Sequence, residues 1–94
     1  MSALWISHLD VTDSEEFAKY AALAGDAIAA YGGVFLARRG RFEQLEGKGR
    51  ASHVVIRFPS LEAARDCYDS AAYQAALKHA AVASERDLTI LEEL

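Results

Sequence analysis

The sequence predicts an α+β domain of ferredoxin-like β-α-β-β-α-β order, with one antiparallel four-stranded sheet and helices on a single face. Three observations predict it. The chain divides into two halves of similar length, each reading strand, helix, strand. Apolar residues recur at spacings of three and four in the helical stretches and alternate in the strands. A single proline in 94 residues, with no low-complexity stretch, leaves no linker for a second domain.

The elements follow in order. Ala3–Val11 is rich in aromatic and aliphatic side chains and alternates loosely, as a strand does. Thr12-Asp13-Ser14-Glu15 reads as a capping box, the threonine oxygen taking an orphan N–H and the glutamate reaching back. Phe17, Tyr20, Ala21, Ala24, Ile28 and Tyr31 then form one helical stripe. Gly32 ends that helix, and Gly25 within it points to close packing. Val34–Arg38 opens a second strand that can run on, bent at Gly40, to Leu45. Gly47-Lys48-Gly49 marks a turn, and Ala51–Phe58 is the clearest strand, closed by Pro59. Ser60 caps a second helix with Leu61, Ala64 and Tyr68 inward. Ser70 caps a further helix through Tyr73, Ala76, Leu77 and Ala80, and Asp87–Leu94 supplies the last strand.

The strands are apolar on both sides. Strand one offers Leu4 and Ile6 in one direction, Trp5 and Leu9 in the other; strand three offers Val54, Ile56 and Phe58 against Val55. An antiparallel sheet with one wet face alternates more cleanly. Nineteen of the apolar residues are alanine, so the core of one copy is thin. Both features point to a homodimer joined through its sheet faces.

The formal charge of −4 argues against a general affinity for nucleic acid or anionic membrane. Lys48-Gly49-Arg50-Ala51 imitates the start of an RNA-recognition signature, but Arg50, Ser52 and Val55 stand where stacking aromatics belong. The basic run Arg38, Arg39, Arg41, Lys48 and Arg50, interrupted by Glu43 and Glu46, reads as a solvated hairpin. No stretch reaches the roughly 18 apolar residues of a membrane span. The start lacks the pattern of a signal peptide, so a cytoplasmic address is expected. Cys67 is the only cysteine, which removes internal disulfides and CxxC sites.

Tyr31-Gly32-Gly33, Arg38 to Gly40, Leu45-Glu46-Gly47, Phe58-Pro59-Ser60-Leu61-Glu62-Ala63-Ala64, Tyr68-Asp69-Ser70 and Tyr73-Gln74 together resemble the bacterial domain-of-unknown-function family numbered 1330. The resemblance runs from about Trp5 to Leu94, and its specific parts are the Phe-Pro-Ser and Tyr-x-Ser-x-x-Tyr segments. Cys67 stands where that family usually has a large aromatic, which can enlarge a pocket, and Ala71-Ala72 replaces a proline–glutamate pair. The family is similar to the wider dimeric α/β-barrel superfamily of cofactor-free monooxygenases, haem enzymes and stress-response proteins. The resemblance therefore implies that architecture, and a cavity between helices and sheet that can host chemistry without a metal.

Candidate site residues follow. His8, on the same strand face as Leu4 and Ile6, is either a general base or a strand-end histidine with a wet ring. His53 and Arg57 share a face of strand three, where the arginine calls for a carboxylate from the chain or a ligand. His8 and His53 can meet across strands, but no third ligand stands at metal-binding spacing, so neither metal nor cofactor is expected. Tyr20, Tyr31, Tyr68 and Tyr73 lie on apolar stripes; their hydroxyls, with Arg38 and His53, are the expected polar points of a ligand cavity. Cys67, mid-helix and without a histidine partner, is no nucleophile. Two functions remain open: a small apolar or aromatic carboxylate ligand held between helices and sheet, with His8 as base, or a non-catalytic dimerisation or stress-associated module.

Overall fold

The computed structural model describes residues 1–94. Its elements are β1 (Ala3–Val11), α1 (Ser14–Ala30), β2 (Val34–Arg38), β3 (Ser52–Phe58), α2 (Leu61–Asp69), α3 (Ala71–Ala83) and β4 (Ser84–Glu92). The strands form one antiparallel sheet in the order β2-β3-β1-β4. The ferredoxin-like expectation holds, with the second helical segment divided in two at Ser70.

Pleat alternation decides what each strand residue meets. In β1, Ala3, Trp5, Ser7 and Leu9 are buried under the helices, while Leu4, Ile6 and His8 point the other way. Trp5 anchors the core, with its ring centroid 5.6 Å from Phe58 and 5.1 Å from Tyr73, the latter edge to face. Ala24, Ala27, Ala76, Ala80 and Ala83 are all buried. Their small side chains let α1 and α3 approach each other closely, which places Tyr20 of α1 beside Tyr73 of α3.

The helix ends carry side-chain caps. Ser60 accepts from the Ala63 amide and Ser70 from the Tyr73 amide, as the sequence predicts. At α1 the cap is Asp13, which accepts from the Glu16 amide, and not Thr12. The amides of Thr12 and Asp13 both bond the carbonyl of Ala83, tying the start of α1 to the end of α3. Gly32 follows α1 at φ 81°, the left-handed conformation that glycine accepts without a Cβ clash.

Three further expectations are corrected. β2 stops at Arg38 and does not continue to Leu45, because Arg39 turns to φ 51° and leaves the ladder after bonding His53. β4 starts at Ser84, immediately after α3, and not at Asp87. Gly25 makes no close contact: a Cβ built on it meets no atom within 4 Å. β2 also carries a bulge, with Phe35 opposite Ile56 and Ala37 opposite Val55. The extra residue brings Arg38 opposite Val54, on the same face as Phe35.

The other face of the sheet has no helix over it. Leu4, Ile6 and Val55 lie there, with Val34, Leu36 and Leu91 exposed.

Candidate functional site

Between α1 and the sheet lies a cavity of about 170 Å³. Trp5, Leu9, Phe35, Val54 and Ile56 form its floor, and Phe17, Tyr20, Ala24 and Ile28 its helical wall. Gly25, with no side chain, leaves that wall open. The lining is mostly apolar, and its polar members are few: Ser7, the only buried polar residue of the chain, the Tyr20 hydroxyl, and the guanidinium groups of Arg38, Arg39 and Arg86. That composition suits a small organic ligand.

Each arginine rests on an aromatic ring. Arg38 Cζ stands 3.4 Å from the Phe35 centroid, Arg39 Cζ 5.2 Å from Phe17, and Arg86 Cζ 4.7 Å from Tyr20. Stacking orients the guanidinium while leaving its N–H edge for an acceptor. No carboxylate lines the cavity, and none of the three is ion-paired. Of the arginines outside this cavity, Arg50 meets Asp10, Asp87 and Glu85, Arg57 grips Glu93 at 2.6 Å and Arg65 meets Asp69, while Arg41 carries no ion pair. In a chain of net charge −4, the cavity is locally cationic.

Behind Tyr20 the polar contacts continue inward. Its hydroxyl lies 2.7 Å from that of Tyr73, which is fully buried, and Arg86 Nη2 donates to the Tyr73 oxygen at 2.9 Å. Burial first, and then the neighbouring Tyr20 oxygen, push the Tyr73 phenol well above its ordinary range, so it keeps its proton.

The sheet divides the residues singled out from sequence. Tyr20 and Arg38 line the cavity, and Tyr73 backs it. Tyr68 packs on Tyr73, with centroids 5.4 Å apart, and lines a separate shallow cleft with Leu77 and Leu88. Tyr31 lies at the C-cap of α1, 37% exposed and outside the cavity, because the helical stripe has turned to solvent there. His8 and His53 are on the far face, as their buried neighbours Ser7, Leu9 and Ile56 require. A base at His8 therefore has no access to the cavity beneath the helices. The residues that sequence reasoning missed are Arg86, Arg39, Ser7 and Gly25. Extending strand four one residue back from Asp87 would have put Arg86 on the Leu88 and Ile90 face.

On that far face, His8 Nδ1 and His53 Nδ1 lie 2.7 Å apart, so at least one ring is neutral to accept. Phe42 stands edge-on to His53, with centroids 4.3 Å apart, and no group of three or more metal-ligating residues forms. Beside the pair, Arg50 bonds Asp10 at 3.0 Å and Asp87 at 2.9 Å. The Ala51 amide, and then Arg50, hold the Asp10 carboxyl below its usual range; Arg50 does the same for Asp87. The basic segment, residues 39–49, is exposed as a solvated stretch is, and it is anchored at its end by Arg50. Arg57 finds its carboxylate in Glu93, which answers its demand within the chain.

The match over residues 2–94 decides the family. The chain belongs to the family described as domain of unknown function (DUF1330). No curated protein matches it. Among solved structures it is similar to RPA0582, a protein of unknown function from Rhodopseudomonas palustris, at TM-score 0.80 and 20% identity, covering 99% of this chain and 82% of that one. It is also similar to SnoaB, a cofactor-independent oxygenase from Streptomyces nogalater, at TM-score 0.67 and 15% identity, covering 99% and 93%. A third is a dimeric ferredoxin-like protein of unknown function from Thermobifida fusca, at TM-score 0.65 and 17% identity, covering 99% and 92%. At these identities the likeness is one of fold.

The two departures from the family pattern lie apart from the cavity. Cys67 is fully buried in α2 and does not line it, so the small side chain does not enlarge it. Burial pushes its thiol up to about 11, far from a nucleophile's range. Ala71 and Ala72 open α3 as ordinary exposed helix residues.

Proposed function

We propose that each protomer binds a small apolar molecule bearing one anionic oxygen, in the cavity between α1 and the sheet. The observation that carries this reading is the set of three arginines, Arg38, Arg39 and Arg86, facing an apolar cavity with no carboxylate of the chain to meet them. Arg86 is the partly buried member of the set and Arg38 and Arg39 stand exposed at its mouth, and each gains a charge-assisted hydrogen bond from an anion that enters with an apolar body. Size supports the same class, since an apolar cavity of about 150 Å³ is known to accept benzene. A single ring with a carboxylate or phenolate fits; a fused polycycle does not fit without opening the layer.

Two protomers pair through the uncovered sheet faces, each sealing the apolar surface of the other. The dimeric description of a ferredoxin-like relative supports this arrangement. The reading needs no metal or organic cofactor, and it places His8 outside the ligand site. Whether binding leads to a reaction separates a cofactor-free enzyme from a non-catalytic module. The fold shared with a cofactor-independent oxygenase favours testing oxygen consumption with any ligand found.

The test is a thermal-shift and calorimetric screen of benzoate, salicylate and 4-nitrophenol against toluene as the uncharged control. Binding of the anions at 100 times Kd raises stability by about 2.7 kcal/mol, and Arg86→Met removes most of that gain. Equal response to toluene and benzoate would remove the anionic part of the proposal, and no response to either would remove the cavity.

A further inference from the structure

The hydrogen bonds behind the cavity have a direction, and it selects the ionisation state of the ligand. Arginine only donates, so the Tyr73 oxygen is an acceptor from Arg86. Tyr73 is 0% exposed, and the Tyr20 oxygen, at 2.7 Å, is the partner within reach of its own proton. Were Tyr20 to donate to Tyr73 instead, the Tyr73 proton would be left buried without an acceptor, which is the costly arrangement. Tyr73 therefore donates to Tyr20. That leaves the Tyr20 proton free, and Tyr20 is the member of the pair that lines the cavity. Each bond in such a run polarises the next, so the positive charge of Arg86 strengthens the Tyr20 donor.

Resting on the ligand reading above, we infer that Tyr20 is a hydrogen-bond donor to an anionic ligand oxygen, charged through Tyr73 by Arg86, and that the site selects the phenolate or enolate form of a single-ring ligand over its neutral form. A deprotonated oxygen is acceptor-only and matches a donor aimed from the wall beside a guanidinium. A neutral phenol or enol must place its own proton, and no carboxylate lines the cavity to receive it. Tyr20 and Arg86 both line the cavity and contact the ligand; Tyr73 is the positioning residue that passes the charge of Arg86 to Tyr20. A donor set for a developing oxyanion has the same form.

The experiment titrates 4-nitrophenol bound to the full chain, following the visible phenolate band against pH. The bound probe ionises at a midpoint about one pH unit below the free probe, a tenfold preference for phenolate. Tyr73→Phe returns the midpoint toward the free value while nitrobenzene, which cannot ionise, binds as before. Tyr20→Phe does the same, and the double variant adds little to either, the mark of one chain of bonds. If Tyr73→Phe does not fold, Tyr20→Phe carries the comparison, and a shift that survives it overturns the inference in the same way. An unshifted midpoint for bound 4-nitrophenol, or a shift that survives Tyr73→Phe, overturns the inference while leaving the cavity as a ligand site. Failure of both 4-nitrophenol and nitrobenzene to bind overturns the ligand reading itself.

Discussion

The hydroxyls of Tyr20 and Tyr73 lie 2.7 Å apart, although the residues are 53 positions apart and sit on different helices. A phenol pair under a helix layer has a stabilising role of its own, and the two phenols are not equivalent. Tyr73 satisfies both Arg86 and Tyr20, whereas Tyr20 also faces the cavity. Tyr73→Phe leaves a largely desolvated guanidinium short of an acceptor and is expected to cost about 2 kcal/mol; Tyr20→Phe is expected to cost about 1 kcal/mol. Urea unfolding of both variants checks the order, which fails if Tyr20→Phe is the more destabilised.

Gly25 offers a separate handle on the cavity. In a helix interior glycine is less favourable than alanine by about 1 kcal/mol, and here the added methyl meets open space. Gly25→Ala is therefore expected to raise Tm by about 4–8 °C per kcal/mol gained, typical for a domain of this size. Gly25→Leu fills the cavity from the wall and is expected to abolish the ligand-induced shift while the protein stays folded. Calorimetric melts with and without benzoate read both effects.

Part of the acid limb of stability is tied to Arg50, alongside Glu16 held by His79 and Lys19 and Glu93 held by Arg57. Asp10 and Asp87 both titrate below their usual 3.8 in the folded chain. A depressed folded value means that their contribution is fully present above the unfolded value and fades as pH falls through the folded one. Stability is therefore expected to drop below about pH 4, and Arg50→Met to flatten that dependence while lowering stability at neutral pH. Urea midpoints at a series of pH values would show it; parallel curves for parent and variant would rule it out.

Pairing of protomers is tested at the centre of the uncovered face. Ile6 and Val55 stand opposite each other on β1 and β3, pointing away from the helices. A charge buried there against its symmetry mate is strongly unfavourable. Ile6→Glu is expected to convert a dimer into a folded 10.2 kDa monomer by sedimentation. A parent chain that sediments as a monomer at micromolar concentration contradicts the pairing directly.

Periodicity made most of the fold legible. The stripe through Phe17, Tyr20, Ala24 and Ile28 and the serines before α2 and α3 are local signals, readable wherever they occur. The cap of α1 lies one residue beyond the one the sequence suggests, because Thr12 and Asp13 are both good caps and local sequence does not choose between them. The run after Arg38 has strand-like residues, Phe42 and Leu45, yet no strand pairs with it, and pairing is what local sequence does not record. The site was only half legible. Tyr20, Tyr73 and Arg38 carried recognisable chemistry, yet which face His8 and His53 share with them depends on strand pairing. Arg86 was hidden by a strand start placed three residues late.

The bulge in β2 sets a parity. Along a regular strand, residues three apart look in opposite directions, so Phe35 and Arg38 should be on opposite sides of the sheet. One additional residue between them makes the count even, and the guanidinium comes to rest on the ring instead. A cation that would otherwise sit on the uncovered apolar face is thereby turned toward the cavity. Were Leu36 instead paired with Val55 and the bulge lost, Arg38 would fall opposite His53: the cavity would lose a positive charge and the bare face would gain one. The side on which this charge lies is thus decided by the register of one strand, and a slip of one residue there moves it through the sheet.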